Sequence, residues 1–109
     1  MPLIKFPLWT LESALPLVRR LQPDTRQFGY HLALGGGVLN TGESHKDLDL
    51  YFLPLDDTDA APDTDALVQW LDEQFGDGTS LIDARYTSEH YKAKRKYPYG
   101  GFRIDVFIL

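Results

Sequence analysis

Two aspartates separated by one residue are the first candidates for chemistry in this sequence. Asp47 and Asp49 lie in a segment, 47–52, in which apolar residues occupy every second position. This alternation predicts a strand, and residues two apart on a strand point to the same side of a sheet. Two carboxylates so placed repel each other, and a hard divalent cation relieves that repulsion through oxygen coordination. The pair is a candidate metal site; the alternative is a solvated polar strand face.

A third aspartate stands among apolar residues near the end of the sequence. Apolar residues fill one face of a predicted strand at 102–109, and Asp105 lies on its other face. If this strand lies beside the Asp-Leu-Asp strand, the three carboxylates can hold two cations for phosphoryl-transfer chemistry. The alternative is an ion pair between Asp105 and a nearby cation such as Arg103 or Lys94.

Three consecutive glycines at 35–37 follow an alternating segment, 28–34, that predicts another strand. Glycine lets a backbone approach a ligand closely and direct its amide groups at phosphate oxygens. On their own the glycines favour a tight turn over a phosphate site. Ser44 and Lys46, just before the acidic strand, are further candidates for phosphate contacts, with a solvated loop as the alternative.

In this order the motifs resemble those of the nucleotidyltransferase superfamily, which includes DNA polymerase beta and the minimal nucleotidyltransferases of toxin–antitoxin systems. That family has an apolar residue followed by Gly and then Gly or Ser, a spacer, an acid–apolar–acid strand, and a third acid on a later strand. Here the glycine motif is at 34–37, a spacer of nine residues covers 38–46, and the acidic motifs are at 47–50 and 104–106. The resemblance extends from about Phe28 to the end of the sequence.

The resemblance implies that Asp47 and Asp49 bind two Mg²⁺ ions, with Mn²⁺ as an alternative, and that Gly36 and Gly37 contact the phosphates of a nucleoside triphosphate. Asp105 resembles the third acid, which binds a metal and activates an acceptor hydroxyl for attack on the α-phosphate. Pyrophosphate is then the leaving group. The acceptor implied is a nucleic acid, a protein or a small molecule.

The family's helical region that grips base and sugar has no counterpart after Asp105, which four residues follow. We therefore expect substrate binding to involve a second copy of the chain or a protein partner. A function of a different class is also open, namely a non-catalytic binding module on the same fold, such as an antitoxin or an inhibitor of a partner.

Two amphipathic segments predict helices around this site. The first follows Thr10, a candidate N-cap, and we expect its regular part to begin near Ser13 and to close at Pro23. The second is expected between Thr64, a candidate cap, and Gly76, a candidate stop.

The remaining patterns complete one domain over 1–109. Alternation at 91–97, a turn at 98–101 and the last strand predict a hairpin, while 81–86 fits a strand or a short helix. The fold class expected is α/β (α+β), a nucleotidyltransferase-like core with a mixed sheet, helices on one face and no C-terminal helical domain.

Composition excludes several function classes. The 109 residues include no cysteine, which rules out disulfides, thiolate zinc sites and a cysteine nucleophile. The net charge of −5 argues against nonspecific wrapping of nucleic acid, yet 91–97 is basic and rich in tyrosine. That segment can steer a triphosphate or nucleic acid toward the acids, or protect an edge strand from aggregation.

No apolar run in the sequence approaches the roughly 20 residues needed to cross a bilayer, and the first residues lack a signal-peptide pattern. These features predict a cytoplasmic protein without a membrane partner.

Overall fold

A mixed sheet carries the residues singled out above. The computed structural model describes residues 9–36, 43–44, 47–56, 61–76, 79–80, 92–99 and 102–109. Within these ranges the strands are β1 (Trp9–Thr10), β2 (Tyr30–Gly35), β3 (Glu43–Ser44), β4 (Asp47–Pro54), β5 (Thr79–Ser80), β6 (Ala93–Tyr99) and β7 (Phe102–Ile108). The helices in the same ranges are α1 (Leu11–Thr25), a 3₁₀ helix (Arg26–Phe28) and α2 (Thr64–Phe75).

The five-stranded sheet has the order β2-β4-β7-β6-β5, and β1 pairs with β3 in a separate two-stranded sheet. Strands β4 and β7 are parallel, and the other neighbours in the large sheet are antiparallel. The predicted hairpin is confirmed as the antiparallel pair β6–β7, but Pro98 and Tyr99, predicted to lie in its turn, are the last residues of β6 and pair with β7. The last strand thus lies directly beside the Asp-Leu-Asp strand, as the candidate site requires.

One face of the large sheet forms the hydrophobic core with both α-helices. The alternate apolar residues of the two central strands are fully buried: Leu48, Leu50, Phe52, Ile104, Val106 and Ile108. They form one cluster with residues of α1 and α2, including Leu17, Leu21, Leu67 and Leu71. The predicted fold class, a mixed sheet with the described helices packed on it, is confirmed. Burial of these side chains positions the strands, because each contributes about 1.5–3 kcal/mol relative to exposure.

Helix α1 begins and ends differently from the prediction. It begins at Leu11 rather than near Ser13, because the Thr10 and Ser13 side chains each bond the other's backbone amide in a capping box. It also continues through Pro23 to Thr25. Burial of one face of α1 stabilises the helix by more than it is destabilised by the backbone hydrogen bonds that its prolines cannot donate.

Helix α2 is capped by Asp63, not by Thr64 as predicted. The Asp63 side chain accepts a hydrogen bond from the Ala66 amide at 3.0 Å. The Thr64 hydroxyl lies instead 2.7 Å from the buried Tyr30 hydroxyl, so it is used for packing helix against sheet. The predicted stop is confirmed, since Gly76 is the C-cap with φ +84°.

The predicted strand at 28–34 begins later than expected, because Phe28 ends the 3₁₀ helix and Gly29 turns the chain with φ +82°. The segment 81–86 lies outside the described residues. No helix in the described ranges is both long and apolar enough to cross a membrane.

Candidate functional site

Asp49 and Asp105 lie opposite each other on neighbouring strands. They are register partners in the parallel pair β4–β7. Register partners leave a sheet on the same side, and adjacent strands are about 4.8 Å apart. The two carboxyl groups therefore share the face of the sheet opposite the hydrophobic core. Residues separated by more than fifty positions in sequence meet here because β7 inserts between β4 and β6.

Asp105 is buried, with 6% of its surface exposed. A buried carboxylate needs a counter-charge, and Lys96 supplies one: its Nζ lies 3.6 Å from Asp105 Oδ1. The sequence had suggested Arg103 or Lys94 as ion-pair partners. Lys96 is the partner described because it is in register with Asp105 on β6, whereas Lys94 is in register with Phe107.

The backbone of the glycine segment lies against Asp49, one member of the acid pair. Gly35 is the register partner of Asp49 on β2, and Gly36 follows with φ +66°. A β-carbon at Gly36 would collide with Asp49 Oδ2 and lie 2.8 Å from its Cγ. Glycine is therefore favoured at position 36 on two grounds, its backbone conformation and its contact with Asp49.

The other predicted site residues are only partly described. The backbone of Asp47 pairs in register with Arg103, and that of Ser44 pairs with Trp9; their side chains lie outside what the structure describes. Gly37 and Lys46 are also outside the described residues. In the part of the chain that is described, no group of three acids or histidines could hold a metal ion. The placement of the Asp47 carboxylate in one cluster with those of Asp49 and Asp105 therefore stays a prediction.

An aromatic pair stands beside the acids on the same face. The rings of Tyr51 and Phe107, each two residues beyond an aspartate, stack with centroids 4.7 Å apart and planes 12° from parallel. Lys94 Nζ lies 4.9 Å from the Phe107 centroid, and a β-carbon at Gly35 would be 2.9 Å from Tyr51 Cδ2. These rings lower the local dielectric, which strengthens the interaction between the acids and any cation. Strand alternation places Tyr51 on the face of Asp49 and Phe107 on the face of Asp105, and it could have predicted this aromatic pair. The pair was not predicted from the sequence.

A second charged cluster lies on the core side of β6. Asp72 Oδ1 of α2 is 2.7 Å from Arg95 Nη2 and accepts a hydrogen bond of 2.7 Å from the Tyr97 hydroxyl. The Arg95 Nε donates to that hydroxyl at 3.3 Å. The cluster fastens α2 to β6. It was not found from the sequence, where Arg95 and Tyr97 appear as part of a basic run.

Burial is the largest single influence on the pKa of both Tyr97 and Arg95. It raises the pKa of Tyr97 to about 12, against the opposing effect of its hydrogen bond with Arg95. Burial lowers the pKa of Arg95, but the hydrogen bonds with Tyr97 and Asp72 outweigh it and leave that pKa above its ordinary value. Both groups keep their protons at neutral pH, so the cluster is a fixed anchor.

The first cluster has a different chemical capacity. Asp49 and Asp105 present carboxylate oxygens, the ligands that hard divalent cations prefer, next to a glycine backbone. No protein-family model and no curated protein matches the sequence. The geometry of these residues is accordingly the basis for assigning a function.

Proposed function

We propose that the chain is a Mg²⁺-dependent nucleotidyltransferase that transfers a nucleoside monophosphate from a nucleoside triphosphate to an acceptor hydroxyl. One observation carries the proposal: Asp49 and Asp105 are in register on parallel strands, with the Gly36 backbone packed against the Asp49 carboxylate. An acid pair alone fits a solvated strand face. Its combination with a glycine whose positive φ and contact with Asp49 both disfavour a side chain favours a binding site.

The residues fit the cation that this chemistry requires. Asp49 and Asp105, with Asp47 from the sequence motif, would hold Mg²⁺ or Mn²⁺ through oxygen ligands. When bound, the cation neutralises charge on the phosphate oxygens during transfer. The burial of Asp105 favours this use, because a carboxylate shielded from water interacts more strongly with a cation.

The remaining roles fall to groups of the protein. Asp105 accepts the proton of the acceptor hydroxyl, whose oxygen forms a bond to the α-phosphorus. The bond from that phosphorus to the bridging oxygen breaks, and pyrophosphate leaves. The amides of Gly36 and Gly37 donate hydrogen bonds to phosphate oxygens, which orients the triphosphate for in-line attack.

A second candidate is a binding module that holds the ligand without turnover. The ion pair between Lys96 and Asp105 favours it, because a carboxylate already paired with an ammonium is a weaker proton acceptor. Such a module would bind a nucleotide or a partner protein on the same face of the sheet.

Thermal unfolding with each of the four ribonucleoside triphosphates, with and without Mg²⁺, tests the proposal. We expect a stabilisation that requires Mg²⁺ and disappears in Asp49→Asn. Asp56→Asn is the matched control, since Asp56 is exposed just beyond β4 and the change in charge is identical. Pyrophosphate release with an RNA oligonucleotide, or the chain itself, as acceptor then separates the candidates. Stabilisation without release identifies the binding module, and the absence of both overturns the proposal.

A further inference from the structure

Lys96 occupies a position that a metal ion would contest. Across the sheet, Asp49, Asp105 and Lys96 form one row, each in register with the next. Asp105 therefore has a carboxylate on one side and an ammonium on the other. A divalent cation held between the two acids would place two more positive charges next to Lys96.

The geometry of the ion pair suits an ammonium that can be replaced by another cation. The distance of 3.6 Å between Lys96 Nζ and Asp105 Oδ1 is longer than a typical hydrogen bond. The Lys96 side chain is 33% exposed, while that of Asp105 is 9% exposed. The ammonium is thus carried on a flexible stem that reaches water, and the carboxylate is held by the sheet. The lysine is therefore the more exposed member of the pair, and the one from which movement toward water is expected.

From this row we propose that Lys96 is an internal counter-ion of the acid pair, and that it competes with a divalent cation for Asp105. In the metal-free protein its ammonium neutralises Asp105; when a cation binds, the ammonium withdraws toward solvent. This inference rests on the proposed metal site at Asp49 and Asp105. It assigns Lys96 a role in setting the affinity and occupancy of that site.

Titration of the full chain with Mn²⁺, followed by the electron paramagnetic resonance signal of the free ion, tests the competition. Lys96→Met removes the competing charge, and we expect it to tighten Mn²⁺ binding on the order of tenfold. Lys96→Arg keeps the charge, so its affinity should equal that of the unaltered chain or be weaker. Circular dichroism of each variant verifies that it is folded.

A change of net charge alone must be separated from the local effect. Lys92→Met is the matched control, because Lys92 is exposed and lies about 13 Å along the strand direction from Lys96, beyond the screening length at physiological salt. Its affinity should stay within about twofold of the unaltered chain.

The outcomes separate the role of Lys96 from the existence of the metal site. Tighter binding in Lys96→Met, and in neither Lys96→Arg nor Lys92→Met, supports the inference. Equal affinity in all four proteins overturns the inference and leaves the metal site standing. If no protein binds Mn²⁺ saturably, the proposed function is overturned and the inference with it.

Discussion

Two carboxylate–cation pairs extend from the same strand to opposite sides of the sheet. Arg95 and Lys96 are consecutive residues of β6, so Arg95 meets Asp72 on the core side and Lys96 meets Asp105 on the other. Both pairs join a cation from a strand to an acid from a neighbouring element. They differ in how completely each charge is held.

The pair on the core side is held by shorter contacts, although its Asp72 side chain is 35% exposed. Asp72 Oδ1 lies 2.7 Å from both Arg95 Nη2 and the Tyr97 hydroxyl, and three side chains fix one another. The pair on the other side has a longer separation, 3.6 Å, and a lysine in place of a planar guanidinium. The comparison teaches that short contacts among three side chains fix the first pair, whereas the longer second pair leaves its lysine room to move.

Alkaline pH should disrupt the cluster of Asp72, Arg95 and Tyr97, with the largest effect on the free energy of unfolding. The pKa of Tyr97 is raised from 10.0 to about 12, so the folded state retains a proton that the unfolded state loses. Its contribution to stability is fully present below pH 10 and is lost as the pH rises toward 12, for a total of about 3 kcal/mol. Urea unfolding across this range measures the loss.

Tyr97→Phe is the control for that pH dependence. The variant has no hydroxyl to ionise, so its free energy of unfolding should fall less steeply than that of the unaltered chain above pH 10. Parallel curves for the two proteins would contradict the role given to Tyr97.

Asp72→Ala should destabilise the protein by about 2 kcal/mol, because it leaves Arg95 and the Tyr97 hydroxyl without their shared acceptor. Glu73→Ala, at the next and exposed position of α2, should change the free energy of unfolding by less than about 0.5 kcal/mol. Chemical denaturation at neutral pH measures both. Equal effects would mean that the cluster is no anchor.

Gly36→Ala tests the contact between the glycine segment and Asp49. A side chain at φ +66° that also collides with Asp49 should cost about 1–2 kcal/mol and displace the carboxylate. We expect Mn²⁺ binding to weaken along with stability. Gly76→Ala is the control: it also has positive φ, but nothing lies within 4 Å of the added carbon, so stability alone should fall. Unchanged Mn²⁺ affinity in Gly36→Ala would mean that Gly36 has no role in the proposed site.

Lys96→Met sharpens the comparison with the smallest effect on stability. Because its pair with Asp105 is long and partly exposed, the metal-free protein should lose about 1 kcal/mol. Saturating Mn²⁺ should restore that loss, whereas it should not restore Asp72→Ala. Unfolding measured with and without Mn²⁺ decides between a replaceable counter-ion and a second anchor.

Local patterns in the sequence were sufficient for much of the fold. Alternation placed Leu48, Leu50 and Phe52 on a buried face, and it placed Asp49 and Asp105 on the opposite face of their strands. The hairpin of β6 and β7 also followed from adjacent alternating segments. Side-chain period is a property of the strand itself, so it can be read without knowing the strand's neighbours.

The ends of the helices were harder to predict from the sequence, because they depend on which nearby groups form the capping hydrogen bonds. Thr10 was identified as a cap, but its reciprocal bond with Ser13 moved the start of α1, and tertiary burial carried the helix past Pro23. Asp63 displaced Thr64 as the cap of α2 once the Thr64 hydroxyl was engaged by Tyr30.

The sequence by itself determined which strands carry acidic and basic side chains and on which face of a strand those side chains lie. Tertiary structure alone decided that Asp105 faces Asp49, that Lys96 forms an ion pair with Asp105, and that the Gly36 backbone packs against Asp49. Strand order and register join segments far apart in the chain, and a shift by one residue would turn Asp105 into the core. That choice is made by the packing of both faces together, which no local pattern contains.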